Sequence, residues 1–271
     1  MEMARFEDMR DRGLVKEDSL FAGHSLGEYV ALAAMGKMFT VEEVSALVFY
    51  RGLTMQNAVK RDADGATDYS MCAVNPTRVS KGFTEKDLHW CVAEIARSTG
   101  GLLEIVNYNI ANMQYVCAGD VSSARVNRGI NKLMFVCLQL RGLAALSALL
   151  DEIASGSLSI SRVEEMQNFI QKTRTRLESE EKPPVVQRGR ATIPLNVNVP
   201  FHSSLLRPGV DSFRYLLQRN ISEAMLDPHR LIGKYIPNLI AKPFQLSKEY
   251  VQDILDLTNS PILASIIQKV R

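Results

Sequence analysis

The order of elements along the chain predicts an α/β protein, a parallel-sheet core interrupted by a ferredoxin-like α+β subdomain. Two observations carry this. A glycine-bounded turn, Gly23–Gly27, stands between a short apolar run and a segment of good helix formers, which is the strand–turn–helix step of an α/β core. Further on, Tyr69–Val74, Glu85–Ala96, Leu102–Asn107 and Gln114–Ala118 read in the order β-α-β-β, most of a ferredoxin-like unit. The length agrees with a two-part build. With 271 residues, 46% of them hydrophobic, a folded chain removes roughly 70 to 75% of its unfolded surface from water and needs no disulfide staples.

Met3, Phe6 and Met9 recur at three-residue steps among charges, so the first twelve residues form an amphipathic helix that stops at Gly13. Ser19–Ala22 is the apolar approach to the turn, and Glu28–Met35 is apolar on nearly every face, as a buried helix is. Thr40 with Glu43 makes a capping box for a helix running through Val44, Leu47 and Val48 toward Arg51. Beyond the β-α-β-β segment, Asn131–Ile160 is helical in period and Gln171–Pro184 is a charged helix end and linker. Arg190–Leu195 is read as the return of the chain to the core sheet, followed by VNVPFHSS, a helix over Asp211–Arg219, the loop IPNLIAKPF and a last helix. The expected division is therefore residues 1–67 as the first part of the core, 68–189 as the insert with its helical extension and linker, and 190–271 as the second part of the core.

Composition excludes several classes. The formal net charge is +2, too near balance for a nucleic-acid binder held by a broad basic field. Cys72, Cys91, Cys117 and Cys137 lie apart among apolar residues, with no CxxC and no Cys/His cluster at metal-ligand spacing. They read as reduced core residues of a cytoplasmic protein, and no metal site is expected. No stretch reaches the roughly 18 to 20 apolar residues of a membrane span, and the charged first residues do not form a signal peptide.

Gly23-His24-Ser25-Leu26-Gly27 is a G-x-S-x-G between a predicted strand and a predicted helix, as a nucleophile elbow requires. The glycines permit a strained turn that projects the Ser25 hydroxyl, and the helix behind it aims amide dipoles, the Leu26 N–H first, at a developing oxyanion. A serine between glycines is equally compatible with an ordinary turn. A serine nucleophile needs a base, and histidine suits neutral pH best. His24 adjoins Ser25, so its ring turns away and forms a wall of the pocket. His89 falls in an insert helix and His229 in a polar loop, both structural or surface positions. His202, in VPFHSS between an apolar approach and a helix, is by elimination the best partner, against the alternative of a satisfied loop histidine. Arg51 ends the apolar run LVFYRG, where it is either a snorkelling surface residue or a planar fork aimed at a carboxylate.

FAGHSLGEYVALAA, VFYRGLTMQ, YSMCAVNP, LLEIVNYNIANMQYVCAGD, VPFHSSLLRPGV and KYIPNLIAKPF together resemble the malonyl/palmitoyl transferase region at the carboxyl end of fungal fatty acid synthase beta subunits. GHSLGEY alone indicates an acyl-carrier-protein transacylase in general; the second and fourth segments are narrower signatures. The resemblance implies an incomplete α/β-hydrolase-like parallel-sheet core with the inserted ferredoxin-like subdomain. It also implies that Ser25 accepts the acyl group, that His202 is the general base, and that Arg51 pairs with the free carboxylate of malonyl. Malonyl would pass from CoA to Ser25 and on to the phosphopantetheine thiol of acyl carrier protein, and palmitoyl from carrier to CoA at the same site, with no bound cofactor. Implied partners are malonyl-CoA and other acyl-CoAs, acyl carrier protein, the fatty acid synthase alpha subunit and the other beta-subunit domains, with neither nucleic acid nor membrane.

Two further positions follow from the resemblance. Asn259–Pro261 falls where the family orients its histidine through a backbone carbonyl, and Asn238 matches a position lining the site, although an Asn after Pro237 also suits a simple turn. Two departures set the alternatives. The family's strand with a GQGSQ-like motif, source of a second oxyanion donor, would precede this chain, and residues 122–190 match the pattern less well. One alternative is therefore a catalytically silent carboxyl-terminal fragment. The other, a serine hydrolase or thioesterase, is suggested by the elbow alone. No acidic residue stands in an identifiable triad position between Ser25 and His202, and Arg51 suits transfer of a carboxylated acyl group better than hydrolysis.

Overall fold

A computed structural model of the chain describes residues 2–36, 40–63, 65–120, 142–179, 188–221 and 227–269. In chain order its elements are α1 (Glu2–Asp11), β1 (Phe21–Ala22), α2 (Leu26–Gly36), α3 (Val41–Asn57), β2 (Tyr69–Val74), α4 (Glu85–Thr99), β3 (Leu103–Ile110) and β4 (Gln114–Asp120). They continue as α5 (Gly142–Ser155), α6 (Val163–Ser179), β5 (Thr192–Leu195), α7 (Val210–Asn220), β6 (Tyr235–Ile236), α8 (Lys248–Thr258) and α9 (Pro261–Lys269). The described residues fall into two compact units, Met1–Thr54 with Asp211–Arg271, and Met55–Val210.

In the first unit, α1 ends as its sequence predicts. Gly13 takes φ 68°, and the Leu14 N–H reaches back to the Met9 carbonyl at 2.9 Å, a left-handed C-cap that glycine adopts without steric cost. Phe6 meets Phe21 edge to face, tying α1 to β1. The capping box of α3 is formed: the Thr40 N–H donates to Glu43 Oε2 at 2.7 Å and the Glu43 N–H to Thr40 Oγ1 at 3.2 Å. A parallel pair, β1 with β6 in register Phe21↔Tyr235, represents the core sheet among the described residues. Ile236, which opens the expected loop IPNLIAKPF, is instead paired with Ala22, and Tyr235 before it with Phe21. Two residues before a proline carry no period that separates strand from loop, and only the tertiary partner makes them a strand.

The second unit holds an antiparallel sheet in the order β3-β4-β2-β5, built from the succession β2-α4-β3-β4-α5-α6-β5. This is the ferredoxin-like arrangement expected from Tyr69 to Ala118, carried one strand further. Here the structure corrects the sequence reading: Thr192–Leu195 does not rejoin the parallel sheet but pairs with the edge of β2, Met71 opposite Leu195 and Val74 opposite Thr192. The compact unit that holds this sheet runs from Met55 to Val210. Hydrophobic patterning identifies a strand but not its partner, and the open edge of β2 was the available acceptor of its backbone hydrogen bonds.

One face of this sheet is the main core. Leu88, Cys91 and Ile95 of α4 and Leu143, Leu146, Leu149 and Leu150 of α5 pack on Cys72, Val74, Leu103 and Cys117, all at most 4% exposed. The opposite face carries a smaller cluster, Met71, Val116 and Ala118, against which Val106, Leu195, Val197 and Phe201 pack. Cys72, Cys91 and Cys117 are buried free thiols, their acidity suppressed by desolvation; Cys137 lies outside the described residues, as does the 131–141 part of the expected helix. Among the described residues no helix is long and apolar enough to cross a membrane.

Candidate active site

Ser25 stands at the step from β1 into α2 with φ 53°, a left-handed conformation that a serine adopts only when the surrounding turn imposes it. Gly23 explains how the turn can be that sharp. A Cβ there would lie 2.0 Å from the Gly27 carbonyl oxygen, so the returning backbone occupies the space a side chain would need. Turn bonds Gly27 N–H to His24 O at 2.9 Å and Glu28 N–H to Ser25 O at 3.1 Å close it. Leu26 opens α2, so its N–H belongs to the first helical turn, whose amides lack intrahelical acceptors. Ser25 is therefore partly buried on a strained step immediately before a helix N-terminus, where unpaired amides favour negative charge.

Arg51, from the middle of α3, brings Nη2 to 3.4 Å from Ser25 Oγ, a long but directed contact. Its guanidinium carbon lies 5.7 Å from the Tyr29 ring centroid, one turn along α2 from the serine. Burial raises the Tyr29 phenol above its ordinary range, with Arg51 pulling the other way, so this tyrosine stays neutral beside the guanidinium. Arg51 is half-buried, with its guanidinium between the serine hydroxyl and the Tyr29 ring.

The elbow is clamped from the carboxyl-terminal part of the same unit. Asn238 Nδ2 donates to the Gly23 carbonyl at 2.7 Å, and the Asn238 N–H donates to Glu28 Oε1 at 2.9 Å. Glu28 Oε1 also accepts from the Tyr235 hydroxyl at 2.6 Å. Burial and the adjacent carboxylate push the Tyr235 phenol far up, which keeps it a donor. Local spacing marks neither Glu28 nor Tyr235, and Asn238 follows Pro237 as a turn residue would. Their partners are more than 200 residues away in the chain, so no spacing rule reaches them.

His202 lies in the second unit, on the segment that leads from β5 toward α7. It is exposed and takes φ 64° between well-anchored neighbours. Phe201 packs on the small cluster of Met71, Val116 and Ala118. Ser203, 4% exposed, donates its hydroxyl to the Pro200 carbonyl at 2.7 Å. Ser204 donates its N–H to Glu104 Oε2 at 2.8 Å and its hydroxyl to the other oxygen of that carboxylate. Of the residues singled out from the sequence, Ser25, Leu26 and Arg51 converge within the first unit. His24 lies on the same turn with its side chain exposed. Asn259 forms the left-handed C-cap of α8, its N–H on the Leu255 carbonyl at 2.7 Å.

The strained serine before a helix and the arginine at its hydroxyl both lie within the span that a known domain family matches. Residues 1–261 match the acyl transferase domain family, and the chain belongs to it. Among individual proteins, it is 50% identical over 270 residues to fatty acid synthase beta subunit aflB of Emericella nidulans, covering 99% of this chain and 12% of that protein. It is 46% identical to fatty acid synthase subunit beta of Schizosaccharomyces pombe and 44% to that of Saccharomyces cerevisiae, covering 99% and 98% of this chain and 13% of each of those proteins. The chain therefore spans 12–13% of the length of these relatives. A solved malonyl CoA-acyl carrier protein transacylase from Clostridium perfringens aligns over 82% of this chain and 48% of its own at 22% identity, with a TM-score of 0.45.

Proposed function

We propose that this acyl transferase domain is the malonyl/palmitoyl transferase of a fungal fatty acid synthase beta subunit, loading malonyl from CoA onto acyl carrier protein and unloading palmitoyl to CoA. The observation that carries the reading is the 3.4 Å approach of Arg51 to Ser25 Oγ, a fixed cation beside an elbow serine. A malonyl ester on Ser25 would hold its free carboxylate a short chain away from the ester oxygen, within reach of that guanidinium. Hydrolysis needs no such cation, so the geometry favours transfer of a carboxylated acyl group over a thioesterase.

In the proposed cycle the Ser25 oxygen attacks the thioester carbonyl of malonyl-CoA while His202 takes the hydroxyl proton. The tetrahedral intermediate places its oxyanion at the Leu26 N–H. Its collapse breaks the C–S bond, and the departing CoA sulfur takes the proton from His202. The phosphopantetheine thiol of acyl carrier protein then gives its proton to His202 and attacks the acyl-serine carbonyl. Breaking the ester C–O bond returns the proton to Ser25. No bound cofactor is required. The parallel β1–β6 pair is read as part of an α/β-hydrolase-like core, the cellular location as cytoplasm, and the alpha subunit and remaining beta-subunit domains as partners.

Transfer of labelled malonyl from CoA to acyl carrier protein tests this reading. The expected result is ping-pong kinetics with a labelled protein intermediate in the absence of carrier. Release of free malonate as the main product, with the carrier left unlabelled, would contradict it and favour the hydrolase alternative. A chain that unfolds cooperatively yet forms no labelled intermediate would contradict it in favour of a silent fragment.

A further inference from the structure

His202 is held in an unfavourable backbone conformation while its own side chain is exposed, which raises the question of what fixes the loop. A left-handed φ of 64° costs on the order of 1 kcal/mol for a non-glycine residue and persists only where the neighbours over-determine it. On the amino-terminal side that constraint is apolar, Phe201 packed on the Met71–Val116–Ala118 cluster. On the carboxyl-terminal side Ser203 bonds back to the Pro200 carbonyl through its N–H at 3.2 Å and its hydroxyl at 2.7 Å, and the next residue, Ser204, is held by a carboxylate. Glu104 sits on β3 opposite Ala118 of β4, and Ala118 belongs to the cluster that receives Phe201.

Both donors of Ser204 converge on Glu104, the backbone N–H on one oxygen at 2.8 Å and the hydroxyl on the other. Ser204 begins the 3-10 turn Ser204–Gly209, so its N–H has no acceptor within that turn. The acceptor is supplied by a strand 100 residues earlier in the chain. A two-point, charge-assisted attachment fixes direction as well as distance.

We propose that Glu104 is a positioning residue for His202, its carboxylate clamping Ser204 so that the histidine between Phe201 and Ser204 is held in its left-handed conformation. This rests on the reading of His202 as the base given above. Glu104 touches neither the acyl group nor the imidazole in this scheme; it acts through the loop.

The test is the rate of Ser25 acylation by malonyl-CoA, followed by intact mass, in Glu104→Ala, Glu104→Gln, Ser204→Ala, His202→Ala and the double variant Glu104→Ala/His202→Ala. Displacing a catalytic group by about 1 Å costs on the order of 100-fold. Glu104→Ala should therefore lower the maximal acylation rate by roughly 10- to 100-fold, with the half-saturating malonyl-CoA concentration unchanged. Glu104→Gln, which keeps an acceptor oxygen, should recover most of the loss, and Ser204→Ala should show a smaller one. In the His202→Ala background, Glu104→Ala should cost nothing further. Wild-type rates in Glu104→Ala, or the same fold-loss with and without His202, would overturn the positioning role. If Glu104→Ala fails to fold, Ser204→Ala and a further double variant, Ser204→Ala/His202→Ala, decide: a loss in the single variant that disappears in the double supports the clamp, and no loss, or the same loss in both, overturns it. His202→Ala acylating as fast as wild type would instead overturn the base assignment, and the positioning role with it.

Discussion

Asn238 holds Gly23: its side-chain amide donates to the glycine carbonyl at 2.7 Å while its backbone N–H binds Glu28, five residues on across the same turn. The elbow is thus fixed from outside as well as by its own turn bonds. Asn238→Ala should remove the bond to Gly23 and cost about 1 kcal/mol of stability. Because the loss falls on the segment that carries Ser25, acylation should drop by roughly 10-fold or more, since small misplacements of a reacting group are expensive. Urea midpoints and single-turnover acylation rates, measured together, check both parts.

The two glycines of the motif are not equivalent. A Cβ on Gly23 would stand 2.0 Å from the Gly27 carbonyl oxygen, whereas one on Gly27 would meet nothing within 4 Å. Gly23→Ala should open the turn, lower stability by about 1–3 kcal/mol and abolish acylation. Gly27→Ala, in the first turn of α2, should leave stability unchanged or raise it by about 0.5–1 kcal/mol. Thermal unfolding of the pair measures the asymmetry directly.

Arg51→Ala should separate the two acyl groups. Charge-assisted hydrogen bonds contribute about 1.5–3 kcal/mol, so malonyl transfer should fall by roughly 10- to 100-fold. Palmitoyl has no carboxylate to lose and should transfer at close to the wild-type rate. Parallel assays with malonyl-CoA and palmitoyl-CoA as donors give the ratio; equal losses would contradict the assigned role.

Asp120, at the end of β4, is buried and its carboxyl is pushed up to about 7, by desolvation first, with Asp68 adding to the effect and the Gly142 N–H opposing it. Between its ordinary value of 3.8 and about 7 the folded chain holds a proton that the unfolded chain has released. The protonated carboxyl therefore favours the fold at low pH, and stability should fall as pH rises through this window and level off above it. Asp120→Asn keeps an oxygen for the Gly142 N–H and should flatten that slope. Urea midpoints between about pH 5 and about pH 8 for both proteins test it.

Local chemistry was legible in the sequence where neighbours determine it. The Gly23–Gly27 spacing, the Thr40–Glu43 box and the stop at Gly13 each concern a handful of adjacent residues, and each appears as read. The ferredoxin-like order was legible for the same reason, strand by strand. What could not be read is pairing across the chain. β5 has the pattern of a strand, yet nothing in it names β2 as partner. Tyr235–Ile236 becomes a strand only beside β1. Glu28 and Glu104 are ordinary glutamates by sequence; their hydrogen bonds to Tyr235, Asn238 and Ser204 exist only once distant segments meet. The candidate serine and arginine were named by motif and resemblance, and Asn238 by resemblance alone as a position lining the site, but Glu28 and Tyr235 at the elbow and Glu104 at the histidine loop were not.

The most direct test of the central claim is intact-protein mass spectrometry after brief incubation with malonyl-CoA, followed by peptide mapping, on wild type and Ser25→Ala. Wild type should carry a malonyl adduct, mapped to the peptide carrying Gly23–Gly27, and the variant none. An adduct of equal yield on Ser25→Ala, or no adduct on a folded wild-type chain, would contradict it.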